Sequence, residues 1–304
     1  MFINNYSVRY IDLNSEKHKT NNQDFVKLPS AFLPDIISKG QVRRMSSASR
    51  NAISMCHELW PLGNQYKPFS FHIGTGLAMI QDTEKFLHAL IAHKEEGVSP
   101  TQFIQSTHNT IGGQLALLYN SHAHNMTFSQ GITSYIDAYK DAQYMANDFP
   151  NEDILCGAID EINELAVEIY TAQNIHEDKI YTEGGAFFHL RKNANDDSVI
   201  EILNFQQISR EELFKFLTSF EKNKLTDFIF FGNAWLKHKE NINKEAIVGE
   251  KEIGFNASTW AIQKALACDL LIKSKKNQLI YLGAINENYF ILHLKKCRSE
   301  DLIT

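Results

Sequence analysis

The chain's 304 residues, 43% hydrophobic and 22% charged, suffice for a sizeable core in one large domain or in two halves of about 150 residues each. A formal net charge of −6 excludes the broad basic footprint of a nucleic-acid-binding protein, and short runs such as Arg43-Arg44 and Lys295-Lys296 read as solvated surface. Cys56, Cys156, Cys268 and Cys297 have no short spacing, which excludes a zinc knuckle or a disulfide framework and points to a reducing compartment.

Residues 3–13 alternate in the manner of a strand, and the polar stretch from Leu13 to about Lys39, with Pro29 and Pro34, reads as a long surface excursion. The opening residues hold no apolar core of signal-peptide length. No apolar run reaches the ~18–20 residues of a membrane span, so the expected location is the cytoplasm. "RRMSSASRNAISMCHELW" places Met45, Ala48, Ala52, Met55, Cys56 and Leu59 on one helical face. "SFHIGTGLA" (70–78) predicts a buried strand ending in a glycine turn, and Asp82 and Thr83 open the next helix. "SPTQFIQSTHNTIGGQLALLYN" predicts a short loop and then a helix, with His108-Asn109 as a buried polar pair. "DILCGAIDEI" (153–162) reads as a buried strand ending in acids. Beyond it, "EGGAFFHLRK" and "DSVIEILNFQQI" predict two paired strands, and Ser209 with Glu212 forms a capping box. "DFIFFGNAW" is a further buried strand, "NASTWAIQKALACDLLIKS" a helix, and "QLIYLGAINENYFILHLKK" a hairpin. Alternating strands and helices predict an α/β architecture.

The stretch "FSQGITSYIDAYKDA" (128–142) predicts a strand–turn–helix that presents residue 129 or 130 at a helix N-terminus, where unpaired N–H groups gather. Ser129 as a nucleophile needs a base; His108, His122 and His124 are the upstream candidates, and the flanks do not match G-x-S-x-G. His122 and His124, alternating on a strand, form a possible metal pair but lack a clear third ligand, and satisfied histidines at a subunit interface are the preferred reading.

Taken in order, "VRRMSS", "IGTGLAMIQDTEKFL", "SPTQFIQSTHNTIGGQLAL", "DILCGAIDE", "EGGAFFHL" and "YFILHL" resemble the thiolase-fold β-ketoacyl synthases. The likeness is nearest to the chain-length-factor branch of aryl-polyene and flexirubin-type pigment pathways. It implies a thiolase-like five-layer αβαβα sandwich of two similar halves, residues 1–165 and 166–304, with the dimer seam and the nucleophile turn in the first.

An active synthase carries cysteine at that turn and two histidines in the second half. Carried over, the cysteine position falls on Ser129 or Gln130, depending on a one-residue gap. The first histidine falls on Gly232 or Asn233, and the second on Phe255. Decarboxylative condensation needs a thiolate to hold the acyl chain and donors to stabilise the enolate. A glutamine amide only donates and accepts hydrogen bonds, and a phenyl ring does neither. The resemblance therefore implies a catalytically inactive subunit; no cofactor is expected, nor a metal, since His122 and His124 lack a third ligand. It would pair with a β-ketoacyl-ACP synthase, receive an acyl carrier protein, and set chain length through a shared tunnel. The seam and tunnel residues implied are His108, Asn109, Gln114, Leu117, Leu118, Tyr119 and Phe128. The alternatives are a free-standing acyl-transfer or decarboxylating enzyme using Ser129 or Gln130, and a non-catalytic homodimeric scaffold.

Overall fold

β1 (Phe2–Arg9), the first strand of the chain, lies in the middle of a sheet. The computed structural model describes residues 1–13, 25–35, 37–63, 67–94, 96–173, 180–221, 228–231, 257–285 and 288–297. After β1 come a two-residue strand β2 (Phe25–Val26), the short helix α1 (Lys39–Val42), and α2 (Ser47–Leu59), capped by Ser46, whose hydroxyl accepts the Ser49 N–H at 3.0 Å. β3 (Ser70–Gly74), α3 (Ile80–Ala92), α4 (Pro100–Gln105), α5 (Thr110–Leu118) and β4 (Asn125–Phe128) follow. Next are α6 (Ser134–Asp148), β5 (Ile154–Asp160), α7 (Glu164–Ala172), β6 (Tyr181–Thr182), β7 (Gly184–Arg191) and β8 (Ile200–Ile208). The chain continues through α8 (Arg210–Glu221), β9 (Phe228–Phe231), α9 (Thr259–Lys273), β10 (Gln278–Ile285) and β11 (Asn288–Lys296).

Nine of these strands form one mixed sheet in the order β4-β3-β5-β7-β1-β8-β11-β10-β9, while β2 and β6 pair separately. β4, β3 and β5 run parallel, as do β9 and β10; the remaining neighbours are antiparallel. β5 is buried at every position, so both of its faces are covered. Leu155 and Ile159 meet α2 and α5 through Ile53, Ile111 and Leu115. Alternate residues Cys156 and Ala158 turn to the opposite cluster, with Tyr135 and Tyr139 of α6 and Trp260 of α9. That second cluster also takes Phe205 of β8, Tyr281 of β10 and Phe290 of β11, so α6 and α9 are packed by strands from both arms of the sheet. Lys264 of α9 is buried there, its Nζ 4.1 to 5.5 Å from the ring centroids of Tyr139, Phe188, Phe205 and Tyr135. Burial pushes its ammonium down to about 8.

Several expectations hold: β3, β5, α2, α6 and α9 lie where the pattern put them, and β10 and β11 pair from Gln278↔Lys295 to Ile285↔Asn288. The α8 capping box is formed, with Ser209 N–H donating to Glu212 at 2.7 Å and Glu212 N–H to Ser209 Oγ at 3.2 Å. Two expectations need correction. β7 and β8 do not pair with each other, because β1 lies between them and bonds to both. β7 is almost wholly buried and takes β5 on one edge and β1 on the other. The stretch 99–120 folds as two helices. Thr107 and Thr110 hydroxyls donate to the Ile104 carbonyl at 3.0 and 2.5 Å, taking an α4 C-terminal acceptor that a continuous helix would use itself.

Candidate functional site

The predicted strand–turn–helix is present. β4 ends at Phe128, Ser129 and Gln130 form the turn, Gly131 takes a left-handed φ of +59°, and one 3-10 turn (Gly131–Thr133) leads into α6. Gln130 N–H donates to Ser134 Oγ at 2.8 Å, and Ser134 Oγ in turn lies 2.8 Å from the Thr75 carbonyl. Gly74 allows β3 to end against the start of α6, since a Cβ there would stand 2.6 Å from the Tyr135 backbone nitrogen. Ser129 is exposed and its hydroxyl donates to the Gly76 carbonyl at 3.2 Å. That bond engages the proton that a general base would have to remove.

Beside the turn, Asp160 at the end of β5 organises the glycine loop. Its Oδ1 accepts from the Thr75 hydroxyl (2.9 Å), Gly76 N–H (2.8 Å) and Leu77 N–H (3.2 Å), and Oδ2 from the Ser258 hydroxyl (2.5 Å). Burial raises this carboxyl above its ordinary range against the pull of those bonds. Next to it Glu161 accepts the Gln81 N–H at 2.9 Å, and burial pushes it up to about 7.

The model of the β-ketoacyl synthase N-terminal domain matches residues 14–177, more than half of the chain. The chain belongs to the β-ketoacyl synthase family. No curated protein matches it. Among solved structures, one described as a type II PKS acyl-carrier protein in complex with its ketosynthase bound to the hexaketide (AntDE:AntF) is similar. It has 17% identity over 97% of this chain and 99% of that one, at a TM-score of 0.72. The ishigamide ketosynthase/chain length factor is 12% identical over 90% of this chain and 87% of that one, at a TM-score of 0.69. The ketosynthase ApeO in complex with its chain length factor ApeC, from Xenorhabdus doucetiae, is 12% identical over 96% and 98%, at a TM-score of 0.56. At these identities the likeness is one of fold, and it establishes the thiolase-like α/β architecture.

Within this synthase-family chain the expected site residues separate into three groups. Asn109, Gln114 and Leu117 line one groove of about 580 Å³ together with Phe103 and Ile104. Phe128 and Gln130 line a second, of about 460 Å³, with Asp141 and Tyr144. Tyr119 faces inward, its hydroxyl 2.9 and 2.7 Å from the Cys56 and Trp60 carbonyls, and Leu118 packs partly against the same α2-side cluster. His108 and Asn109, expected as a buried pair, are exposed in the chain. Gly232, Asn233 and Phe255 lie outside the described residues.

His122 and His124 do not act as a pair. His122 is exposed, while the His124 ring lies 5.1 Å from that of His72 on β3, and both histidines bond Asp141 Oδ2 of α6, at 2.9 and 2.7 Å. His72 is fully buried, and burial drives its imidazolium down to about 4. Burial opposes ionisation of Asp141, but hydrogen bonds from both histidines hold its carboxyl below the ordinary range. The sequence signal for this cluster is a histidine inside the otherwise apolar strand "SFHIG".

Proposed function

We propose that the chain is the non-catalytic, chain-length-factor subunit of a heterodimeric β-ketoacyl-ACP synthase. In this reading it works in the cytoplasm, shapes the acyl tunnel of a competent partner and sets product length in a polyene or polyketide pathway of the aryl-polyene type. The observation that carries the proposal is the turn itself: a synthase-family strand–turn–helix whose apex offers Ser129, bonded to a carbonyl, and Gln130, with no thiol. Condensation on this fold needs a thiolate, so chemistry must come from a second subunit. Loss of one member of a catalytic constellation costs orders of magnitude, and members act as a unit.

Two surfaces support the partnership. Among the described residues β4 stands at one end of the sheet order, with its outer edge offering backbone donors and acceptors to another chain, as exposed edge strands do. Next to it Leu117 is 82% exposed, and Phe103 and Ile104 are exposed beside it in the 580 Å³ groove. Apolar groups of this size gain about 1.5–3 kcal/mol each on burial against a partner. The second surface is net cationic: Arg43, Arg44 and Arg50 border a groove of about 400 Å³ at the start of α2, where Lys85 is paired with Asp82 at 3.3 Å, and the surplus of arginines suits an anionic docking protein such as an acyl carrier. In this reading Phe128, Gln114 and Leu118 are the candidates that would limit the tunnel by steric blockage.

The test is turnover of malonyl-carrier protein by the purified chain, by a ketosynthase from the same genome, and by the two together. Elongation by the pair and none by this chain alone is the expected result. Turnover by the chain alone would return the chemistry to Ser129 or Gln130.

A further inference from the structure

We propose that His72, His124 and Asp141 form a divalent transition-metal site, best suited to zinc, that staples β3 and the β4–α6 turn together. The expectation of no metal rested on His122 and His124 lacking a third ligand; folding supplies two others, from β3 and α6. His72 Nδ1, His124 Nε2 and a carboxylate oxygen of Asp141 all lie within 4.8 Å of one another. Asp141 Oδ2 stands 2.7 Å from the first and 2.9 Å from the second. Donors bonded to tetrahedral zinc at about 2.0–2.1 Å stand about 3.3 Å apart. The two histidine–carboxylate separations therefore need to open by about half an ångström, and the two imidazole nitrogens, within 4.8 Å of each other, to settle at a similar spacing, shifts within reach of side-chain torsions.

The donor set fits the ion. Two imidazoles and one carboxylate, with a fourth position left for water, suit zinc, and they are poor ligands for magnesium or calcium. His72 also has the supporting contact that metal-bound histidines use. Its Nε2 lies 2.8 Å from Ser70 Oγ, and both residues are fully buried. With Nδ1 on the ion, the ring proton sits on Nε2 and donates to Ser70. Without the ion, Nδ1–H donates to Asp141 and Ser70 donates to Nε2. A hydroxyl serves either role. The side chains of Asp141 and His124 are 27% and 33% exposed, and Asp141 borders the 460 Å³ groove lined by Phe128 and Gln130, which gives the ion and its water a route in. A bound ion would fix the Ser129–Gln130 turn from beneath by joining the strands before it to the helix after it.

The experiment does not depend on the chain having a synthase partner. Untagged, chelator-stripped protein is titrated with zinc by calorimetry and with cobalt by visible absorption, and its melting temperature is followed. One ion per chain, tetrahedral cobalt bands and a raised melting temperature are expected. His124→Ala and Asp141→Asn should each weaken binding by about a hundredfold or more, whereas His122→Ala should not. His124 is partly exposed, so its variant keeps the test sound if Asp141→Asn folds poorly. Absence of stoichiometric binding, or binding of unchanged affinity in both ligand variants, would overturn the proposal.

Discussion

Replacing Glu161 by glutamine should remove a loss of stability that the natural chain suffers as pH rises from 5 to 8. The carboxyl is buried where β5 ends, with Oε1 accepting Gln81 N–H at 2.9 Å and Oε2 facing Ala48 N–H at 3.4 Å. Burial moves its pKa from 4.5 to about 7. Between those values the folded carboxyl keeps its proton while the unfolded chain has released it. The folded state thus binds more protons, and stability falls as pH rises through the interval. A shift of this size corresponds to about 3 kcal/mol, of which roughly 2.5 kcal/mol falls between pH 5 and 8. His72 works in the opposite direction: its folded pKa is lowered to about 4, so the unfolded chain takes up the proton first and stability rises with pH from about 4 to 6.5. The whole-chain curve mixes both effects, so the informative quantity is the difference between wild type and Glu161→Gln. Urea unfolding at pH 5, 6, 7 and 8 should show the variant gaining on wild type by about 2–3 kcal/mol across the series. A gap that stays constant over that range would refute a buried, proton-holding Glu161.

Gly74→Ala should destabilise the chain by about 1–3 kcal/mol or more, read as a lower melting temperature, because the new Cβ meets backbone rather than a movable side chain. Ser129→Ala and Gln130→Ala should leave elongation by the two-subunit complex within about twofold of wild type; a loss of orders of magnitude would make either residue catalytic. Phe128→Ala or Leu118→Ala should shift the complex to longer products if that side chain blocks the tunnel, and an unchanged product profile would clear it of the role.

Much of the fold is legible locally. "DILCGAID" reads as a covered strand because apolar residues run without alternation, and Ser209 with Glu212 announces a helix start that forms as written. What is not legible depends on neighbours remote in the chain. β7 and β8 are close in sequence, yet β1, nearly two hundred residues earlier, bonds to both and separates them. The strand–turn–helix at Ser129 and Gln130 could be found because its strand, glycine and helix are consecutive. For the His72–Asp141–His124 cluster the sequence offers only the odd histidine of "SFHIG", since its members lie 69 and 17 residues apart and meet only when β3, β4 and α6 pack. Tyr119 shows the same limit: it directly follows α5, and only folding brings its hydroxyl to the carbonyls of Cys56 on α2 and of Trp60 just after it, which turns it inward.

Native mass spectrometry of this chain co-expressed with a ketosynthase from the same genome tests the central claim most directly. A one-to-one complex, lost on Leu117→Asp while the chain itself stays folded, is the predicted result. A stable homodimer that leaves the ketosynthase free would contradict it.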